Sequence, residues 1–303
     1  DYRRIRALLA GLAPETPVLA TTATANARVV LDVAEQLGAG TLVLRGALDR
    51  ESLHLCVLAL PTAAHRLAWL ADRLPELPGS GIVYTLTVAA TQEVAGFLRS
   101  RGLTAASYSG QTEDAERLAI EDDLLANRIK VLVATSALGM GFDKPDLGFV
   151  VHLGAPPSPI AYYQQIGRAG RGVKRADVIL LPGEEDEAIW RYFASLGFPT
   201  EEQVRRTLAA LEKARKPLST AALEPLVDLR RTRLETMLKV LDVDGAVKRV
   251  AGGWTSTGQA WSYDADRYAR VAADRTREQR AMREYAAYEG CRMEFLRGQL
   301  DDP

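Results

Sequence analysis

The chain has 303 residues, which is enough for two or three domains, and 47% of them are hydrophobic, which is enough for a sizeable core. Its formal net charge of −1 excludes nucleic-acid binding through overall charge alone, so such binding would need local basic patches. Two cysteines exclude a disulfide framework and suit a reducing, cytoplasmic environment, and no apolar run is long enough to span a membrane.

Residues 1–60 read like the interior of a longer protein, because the chain does not begin with Met. They contain one helical start and two strand-like apolar runs, at residues 41–44 and 55–60.

Residues 61–184 alternate short apolar runs with longer helical patterns, the first of them an amphipathic helix at 62–74. The runs are rich in Val, Ile and Leu, which is typical of strands buried on both faces of a parallel sheet. The intervening segments are long enough for crossover helices, so the pattern predicts an α/β domain. The predicted strands are residues 81–84, 105–108, 130–134, 149–153 and 177–181.

A glutamine and two arginines follow a clear helix start near the end of this region. Ser158 suits the N-cap and Pro159 the first helical position. Gln164, Arg168 and Arg171 have the spacing i, i+4 and i+7, so they share one face if the segment is helical. Neighbouring guanidiniums repel unless an anion lies between them, and their planar donors match the phosphates of a nucleoside triphosphate. The alternative is a solvated basic helix end, but four small residues favour close backbone approach: Gly167, Ala169, Gly170 and Gly172.

Residues 185–262 change to helices with polar faces, predicted at 200–214, 219–226 and 230–241. A hairpin follows, with strands at 246–250 and 254–256 around a Gly252-Gly253 turn. Three helices and a hairpin predict a winged-helix-like domain. The alternative is a helical protein-interaction domain.

Basic residues occupy the two places where a winged helix meets the DNA backbone, namely the start of the third helix and the hairpin. Trp254, also in the hairpin, either stacks on a base at a duplex fork or packs the wing onto its helices. The candidate DNA-binding cations are Arg230, Arg231, Arg233, Lys248 and Arg249.

Residues 263–303 have the pattern of a charged helical pair. Cys291 lies in it as either a metal ligand or an inert core cysteine, and Cys56 has the surroundings of a core residue. The histidines His54, His65 and His152 lack metal-like spacing, and His152 is expected to be a core or supporting residue.

Five segments together carry a family resemblance. Gln164 to Arg171 resembles motif VI (QxxGRxGR) of superfamily 2 helicases, and Thr22-Ala23-Thr24-Ala25 resembles motif III. Ile82-Val83-Tyr84 with Thr85 resembles motif IV, and residues 134–146 are similar to the RecQ form of motif V. Tyr108-Ser109-Gly110 with Arg117 resembles the RecQ segment YHAGL…R, although Ser109 replaces the histidine. Because all five occur in the correct order, the chain resembles RecQ-like DNA helicases.

The resemblance implies an ATP-dependent 3′-to-5′ DNA helicase of repair or recombination, in which ATP lies between two RecA-like domains. Residues 1–60 would finish the first of these domains, and 61–184 would form the second. Arg171 would be the arginine finger, Arg168 would bind the γ-phosphate, and Gln164 would orient the attacking water or a neighbouring side chain. Asp143, after the Gly139-Met140-Gly141 turn, would bind the ribose, and Thr135 and Thr85 would contact DNA phosphates.

The sequence contains no GxxxxGK[ST] motif and no Gly-Lys pair. The phosphate cradle and the Mg²⁺ ligands are therefore expected outside these residues, and the 303 residues alone are expected not to hydrolyse ATP. Asp186-Glu187-Ala188 mimics a magnesium box but follows motif VI, so it is better interpreted as the acidic first turn of a helix.

Cys291 resembles the first cysteine of the RecQ zinc module, which implies Zn²⁺ as a further cofactor. Here the winged-helix-like segment comes first, an order similar to the RecQ-like subgroup called RqlH. The expected partners are single-stranded and forked DNA and no membrane, and the expected state is a monomer. The alternatives are an RNA helicase of the same superfamily, a non-catalytic DNA-binding scaffold and a transcription regulator.

Overall fold

The computed structural model describes residues 9, 11–13, 16–22, 24, 26–38, 40–138, 142–214 and 216–302. Its helices are α1 Ala27–Leu37, α2 Ala63–Arg73, α3 Val88–Ser100, α4 Asp114–Leu125, α5 Pro159–Ile166, α6 Asp186–Ser195, α7 Glu201–Ala214, α8 Thr220–Val227, α9 Arg231–Val243, α10 Ala265–Ala287 and α11 Arg292–Gln299. Its strands are β1 Leu53–Val57, β2 Gly81–Thr85, β3 Ala105–Tyr108, β4 Val131–Ala134, β5 Phe149–Leu153, β6 Ala176–Leu181, β7 Val247–Val250 and β8 Gly253–Ser256.

The chain divides into two compact units. The sheet unit comprises the described residues of Thr21–Asp32, Leu42–Trp190 and Arg275–Pro303. The helical unit comprises those of Asp1–Ala20, Val33–Thr41 and Arg191–Asp274. No helix in the described part of the chain is both long and apolar enough to cross a membrane.

The sheet unit is built on six parallel strands in the order β1-β6-β5-β2-β4-β3. β2 lies centrally, with Gly81 opposite both Val131 of β4 and Phe149 of β5. Every residue of β2 and β4 is buried, as apolar runs in a sheet covered on both faces require. The parallel α/β prediction is confirmed, and the five strands predicted in residues 61–184 are matched to within one residue, whereas the run predicted at 55–60 forms the strand Leu53–Val57.

Alternate strand residues face two separate cores. One face packs Val83, Val133 and Val151 against Leu70 of α2 and Leu98 of α3. The other face includes Ile82, Leu132 and Val150, together with residues of α5, α10 and α11 that include Tyr162, Met282 and Leu296. This second core ties residues 275–287 of α10 and the helix α11, all in the sheet unit, to the sheet.

Two expectations for residues 1–60 are corrected. β1 pairs with β6 over five residues, from Leu53–Ala176 to Val57–Leu180, so the sheet extends back across the predicted boundary at residue 60. Residues 41–44 form no strand, and Leu42 and Leu44 are 79% and 84% exposed. A strand needs a hydrogen-bonded neighbour, and none of the described strands pairs with this run.

The helical unit contains α7, α8, α9 and the antiparallel hairpin β7–β8, close to the predicted boundaries. Its core packs Val204 and Leu211 of α7 against Leu223 of α8 and Leu238 of α9. Trp254 of the hairpin belongs to the same core. Assignment of this unit as a winged helix stays a prediction.

Candidate functional site

Polar residues gather where the parallel strands end. Thr85 closes β2, while Ser109 and Thr135 directly follow β3 and β4. Because the carboxyl ends of parallel strands lie at one edge of the sheet, these side chains share that edge, which is where ligands bind in open α/β sheets.

The helix that carries Gln164 begins as predicted and ends earlier than predicted. Ser158 accepts a hydrogen bond from the Ala161 backbone N–H at 3.1 Å, and Pro159 is the first helical residue. The helix ends at Ile166, with Gly167 as its C-cap. Arg168 and Arg171 therefore lie in a non-helical turn, Gly167–Gly172, called here the arginine turn. The expectation of one helical face for all three side chains is wrong.

Gly170 has a backbone conformation that no α-helix contains. Its φ is +69°, a backbone conformation that L side chains rarely adopt. A Cβ at this position would lie 2.6 Å from Ser52 Oγ and 2.9 Å from Leu53 Cδ2. The small residue thus lets the arginine turn approach the start of β1 closely.

Arg168 turns into the molecule. Its guanidinium donates to the backbone carbonyls of Leu138, at 3.0 Å, and Phe142, at 3.2 Å. It also lies near Tyr84: burial raises the pKa of Tyr84 to about 12, and the positive charge of Arg168 offsets part of that rise. Arg168 is thus half-buried and bonded to the motif-V-like segment, which argues against a solvated basic helix end.

Arg171 is the more accessible of the two arginines. Its Nε donates to Gly167 O at 3.1 Å, and its Nη1 donates to Asp143 Oδ1 at 2.8 Å. The side chains of Arg171 and Asp143 are 43% and 58% exposed. The structure therefore brings together the predicted finger and the predicted ribose ligand, each within reach of a ligand from solvent.

Gln164 reaches a residue far away in the sequence. Its Nε2 donates to Thr24 Oγ1 at 2.5 Å, which joins the motif-VI-like helix to the motif-III-like segment. Thr24 is buried, whereas Gln164 is exposed. Ala23, Ala25, Gly139 and Gly141 lie outside the described residues.

The backbone of residues 145–147 accepts hydrogen bonds from the arginine turn. Gly172 N donates to Pro145 O at 2.7 Å, and Gly170 N donates to Leu147 O at 3.3 Å. Beside them, the fully buried Lys144 donates to Asp146 at 2.7 Å. Sequence reasoning missed Lys144, although its position directly after Asp143 was a signal that could have found it.

The two threonines predicted to contact DNA phosphates differ in accessibility. Thr135 is half-buried, and its Oγ1 accepts from Ala137 N at 3.3 Å. Thr85 is only 5% exposed, and its hydroxyl donates to Thr87 O at 3.2 Å. Thr87, the N-cap of α3, is more accessible than Thr85.

The predicted cations of the helical unit fall into two groups. Arg230, Lys248 and Arg249 are exposed, and Arg231 is exposed but forms an ion pair with Glu235 at 3.1 Å. Arg233 instead donates to Gly197 O at 3.1 Å and is half-buried, so its guanidinium stabilises the fold locally.

Trp254 adopts the packing alternative. It is 5% exposed, and its backbone exchanges hydrogen bonds with Leu218 at 2.8 and 2.9 Å. The guanidinium of Arg249 lies 5.7 Å from its ring centroid. A ring buried in this way has no face open to a base, so the prediction that Trp254 contacts DNA is corrected.

Neither cysteine is a core residue. Cys56 lies on β1 and is exposed, because it alternates with Leu55 and Val57, which pack against the core on the other face of the strand. Cys291 caps α11 and is also exposed. Among the described residues, no cluster of three His, Cys, Asp or Glu side chains could hold a metal. Zinc binding through Cys291 stays a prediction.

His152 and Asp186 are buried supporting residues. His152 bonds to Gln165 Oε1 at 2.8 Å and stacks on Tyr84 at 5.1 Å, which confirms its expected place in the core. Asp186 begins α6, as its interpretation as a helix first turn predicted. Its Oδ2 accepts from Ala155 N at 2.7 Å and from Gly183 N at 2.9 Å.

Comparison with protein families gives one match. The helicase conserved C-terminal domain matches residues 66–173, the segment that contains β2 to β5 and the arginine turn.

Three curated relatives have 32–36% sequence identity. RecS of Bacillus subtilis, named as an ATP-dependent DNA helicase, is 32% identical over 70% of this chain and 43% of its own length. The RecQ-like DNA helicase blm-1 of Caenorhabditis elegans is 36% identical over 56% of this chain and 18% of its own. R290 of Acanthamoeba polyphaga mimivirus, named as an ATP-dependent RNA helicase, is 32% identical over 76% and 40%. The chain thus spans less than half of each relative.

Among solved structures, Dbp5 of S. cerevisiae bound to RNA and ADP BeF3 is similar with a TM-score of 0.53. The sequence identity is 24%, over 63% of this chain and 52% of that one. At this identity the likeness shows a shared fold.

Proposed function

We propose that the chain forms the arginine-bearing side of an ATP-dependent DNA helicase, because residues 66–173 match the helicase conserved C-terminal domain and the chain is similar to RecS and to the RecQ-like DNA helicase blm-1. In this proposal, ATP lies against the carboxyl edge of the sheet. The phosphate cradle and the Mg²⁺ ligands come from a second ATP-binding domain outside these residues.

The carrying observation is the arrangement of Arg168, Arg171 and Asp143. Arg168 is fixed by two backbone carbonyls, while the side chain of Arg171 is 43% exposed and bonded to the still more accessible Asp143. An accessible guanidinium can move onto a phosphate, and a carboxylate can accept a hydrogen bond from a ribose hydroxyl. We therefore assign Arg171 as the arginine finger, Arg168 as the γ-phosphate ligand and Asp143 as the ribose ligand.

Gln164 connects the proposed ATP site to the motif-III-like segment. In the proposal it orients the attacking water, and its bond to Thr24 links that function to the motif-III-like segment. Closure of the cleft between the two domains would bring these groups around ATP, and hydrolysis would let the cleft open again. Each cycle would then tighten and loosen the binding of a DNA strand.

DNA would be bound through its backbone. We propose Thr135 as the phosphate contact of the sheet unit and Arg230, Arg231, Lys248 and Arg249 as those of the helical unit. Such contacts carry no base information, so binding should be insensitive to sequence and weakened by salt. The 3′-to-5′ polarity, the role in repair or recombination and zinc binding through Cys291 are proposed by family resemblance.

The deciding test is Arg171→Ala in the full-length protein, assayed for DNA-stimulated ATP hydrolysis. Loss of an arginine finger lowers turnover by about 10³ to 10⁵ in related phosphoryl-transfer enzymes. ATP binding should be largely retained. The matched control is Arg175→Ala, which removes an exposed guanidinium paired with Asp177. Near-normal turnover by Arg171→Ala would remove it as the finger.

An RNA helicase is the second candidate, favoured by the name of the mimiviral relative. Unwinding of matched DNA and RNA forks with 3′ and 5′ overhangs tests both the substrate and the polarity. Preference for the RNA forks would overturn the DNA assignment.

A non-catalytic scaffold is the third candidate. We propose that the 303 residues alone do not hydrolyse ATP, because they contain no phosphate-cradle motif. Robust DNA-stimulated turnover by these residues alone would contradict the need for a second domain.

A further inference from the structure

Residues 45–52, called here the strap, form hydrogen bonds with the backbone of the arginine turn. Ser52 Oγ donates to Gly170 O at 2.7 Å, and Arg50 Nη2 donates to Ala169 O at 3.0 Å. Ala169 and Gly170, which own these carbonyls, are the two residues between Arg168 and Arg171. The position of the strap therefore sets the position of the backbone that carries both guanidiniums.

The strap has no regular secondary structure over residues 45–50, so its position depends on hydrogen bonds to other parts of the chain. Leu48 makes two of these bonds through its backbone. Its backbone N–H donates to Asp302 Oδ2 at 3.0 Å, and its carbonyl accepts from the Tyr163 hydroxyl on α5. Arg45 also donates to Leu300 O. Leu48 thus joins the C-terminal segment to the helix that precedes the arginine turn.

Asp302 is built into this contact. It is 8% exposed, and its Oδ2 accepts from Arg297 Nε at 2.8 Å as well as from Leu48 N. The Arg297 guanidinium holds the pKa of Asp302 below its usual range, so the carboxylate is ionised. Removing it would leave the Leu48 N–H and Arg297 without their shared acceptor.

We propose that Asp302 is a positioning residue for the arginine turn, acting through Leu48 and the strap. Its role in turnover rests on the proposed function. An arginine finger acts only in the transition state, and small displacements of such a group lower the rate steeply. A loosened strap should therefore lower kcat and leave KM for ATP nearly unchanged.

The test compares Asp302→Ala and Asp302→Asn with Asp301→Asn in the full-length protein. Asp301 is the matched neighbour, because its carboxylate caps Ala27 N at 2.8 Å and does not bond to the strap. DNA-stimulated ATP hydrolysis should show a kcat at least about tenfold lower for Asp302→Ala, with KM within about twofold. Asp302→Asn should be intermediate, since its amide oxygen can still accept from Leu48 but cannot pair with the Arg297 charge. Asp301→Asn should resemble the wild type.

Amide hydrogen exchange gives a readout that needs no activity. Asp302→Ala should speed exchange at Leu48 and along residues 163–172, whereas Asp301→Asn should leave these amides unchanged. Unchanged kcat in Asp302→Ala, or faster exchange confined to residues 45–48 and 297–302, would overturn the proposal. If the wild type shows no ATP turnover, the helicase function fails and the exchange data alone decide whether Asp302 positions the turn.

Discussion

Arg171 donates a hydrogen bond to Asp143 at 2.8 Å, so the proposed finger and the proposed ribose ligand hold each other. Both side chains are substantially exposed, and exposed ion pairs contribute about 0.2–1 kcal/mol. We expect Asp143→Asn to lower the free energy of unfolding by less than about 1 kcal/mol, measured by urea denaturation.

The comparator for Asp143→Asn is Asp177→Asn, which breaks the pair between Arg175 and the less exposed Asp177. A loss of more than about 2 kcal/mol for Asp143→Asn would mean that the pair is buried in solution.

Gly170→Ala should destabilise the sheet unit through a clash. The added Cβ would lie 2.6 Å from Ser52 Oγ, in addition to the strain of a φ of +69°. Gly102→Ala is the matched control, since Gly102 has a φ of +85° but open space around its Cβ position. Both variants lose stability through backbone strain, and overpacking should lower the free energy of unfolding of Gly170→Ala by about 1–3 kcal/mol more. Equal losses in urea denaturation would show that the strap moves aside freely.

Asp186 should make stability fall as the pH rises. Burial raises the pKa of Asp186 to about 6 from 3.8, despite the two backbone N–H groups that it accepts from. Between these values the folded chain holds a proton that the unfolded chain has released, so the stabilisation is complete below pH 3.8 and lost as the pH passes 6. The effect is at most about 3 kcal/mol.

Because His152 titrates with the opposite sign over nearly the same range, Asp186→Asn should make the free energy of unfolding rise more steeply with pH than in the wild type, measured from pH 3.5 to 7. The control is Glu184→Gln, a change at an exposed carboxylate two residues before Asp186. An unchanged slope in Asp186→Asn would assign the pH dependence to other groups.

His152 should act with the opposite sign. Burial lowers the pKa of His152 from 6.5 to about 4, and the bond to Gln165 offsets part of that shift. The stabilisation from neutral His152 is therefore present above pH 6.5 and lost as the pH falls towards 4. His152→Gln keeps an amide donor for Gln165 but cannot titrate. Its free energy of unfolding should therefore fall more steeply than that of the wild type as the pH rises from 4 to 6.5, because the Asp186 contribution is then unopposed. A profile identical to that of the wild type would show that His152 does not contribute this arm.

Trp254→Ala should unfold the helical unit more readily. Removing a buried aromatic side chain costs about 3–5 kcal/mol, whereas a change at the exposed Lys248 stays within about 0.5 kcal/mol. In DNA binding, Lys248→Ala should reduce the slope of log affinity against log salt by about one. A small stability loss for Trp254→Ala with a large loss of DNA affinity would restore the base-stacking alternative.

Local patterns predicted the regular elements well. Strands such as Phe149–Leu153 are continuous apolar runs, and Ser158 with Pro159 marks a helix start that the structure reproduces. In each case, the residues that determine the element lie within it or beside it.

Elements that depend on distant partners were not predictable in this way. Residues 41–44 have the composition of a strand but no described neighbour to pair with. The non-helical turn after Ile166 brings Gly170 against Ser52, more than 100 residues earlier in the chain. No local signal marks Leu48 or Asp302 as neighbours of the arginine turn.

The Leu48–Asp302 bond spans 254 residues, and this separation sets an order of events during translation. A ribosome adding about 5–20 residues per second needs roughly 13–50 s to pass from one partner to the other. From residue 171 to residue 302, the nascent chain therefore carries Arg168 and Arg171 without the carboxylate that completes their support. A chain truncated just before residue 302 would keep all five motif-like segments and lack this hydrogen bond.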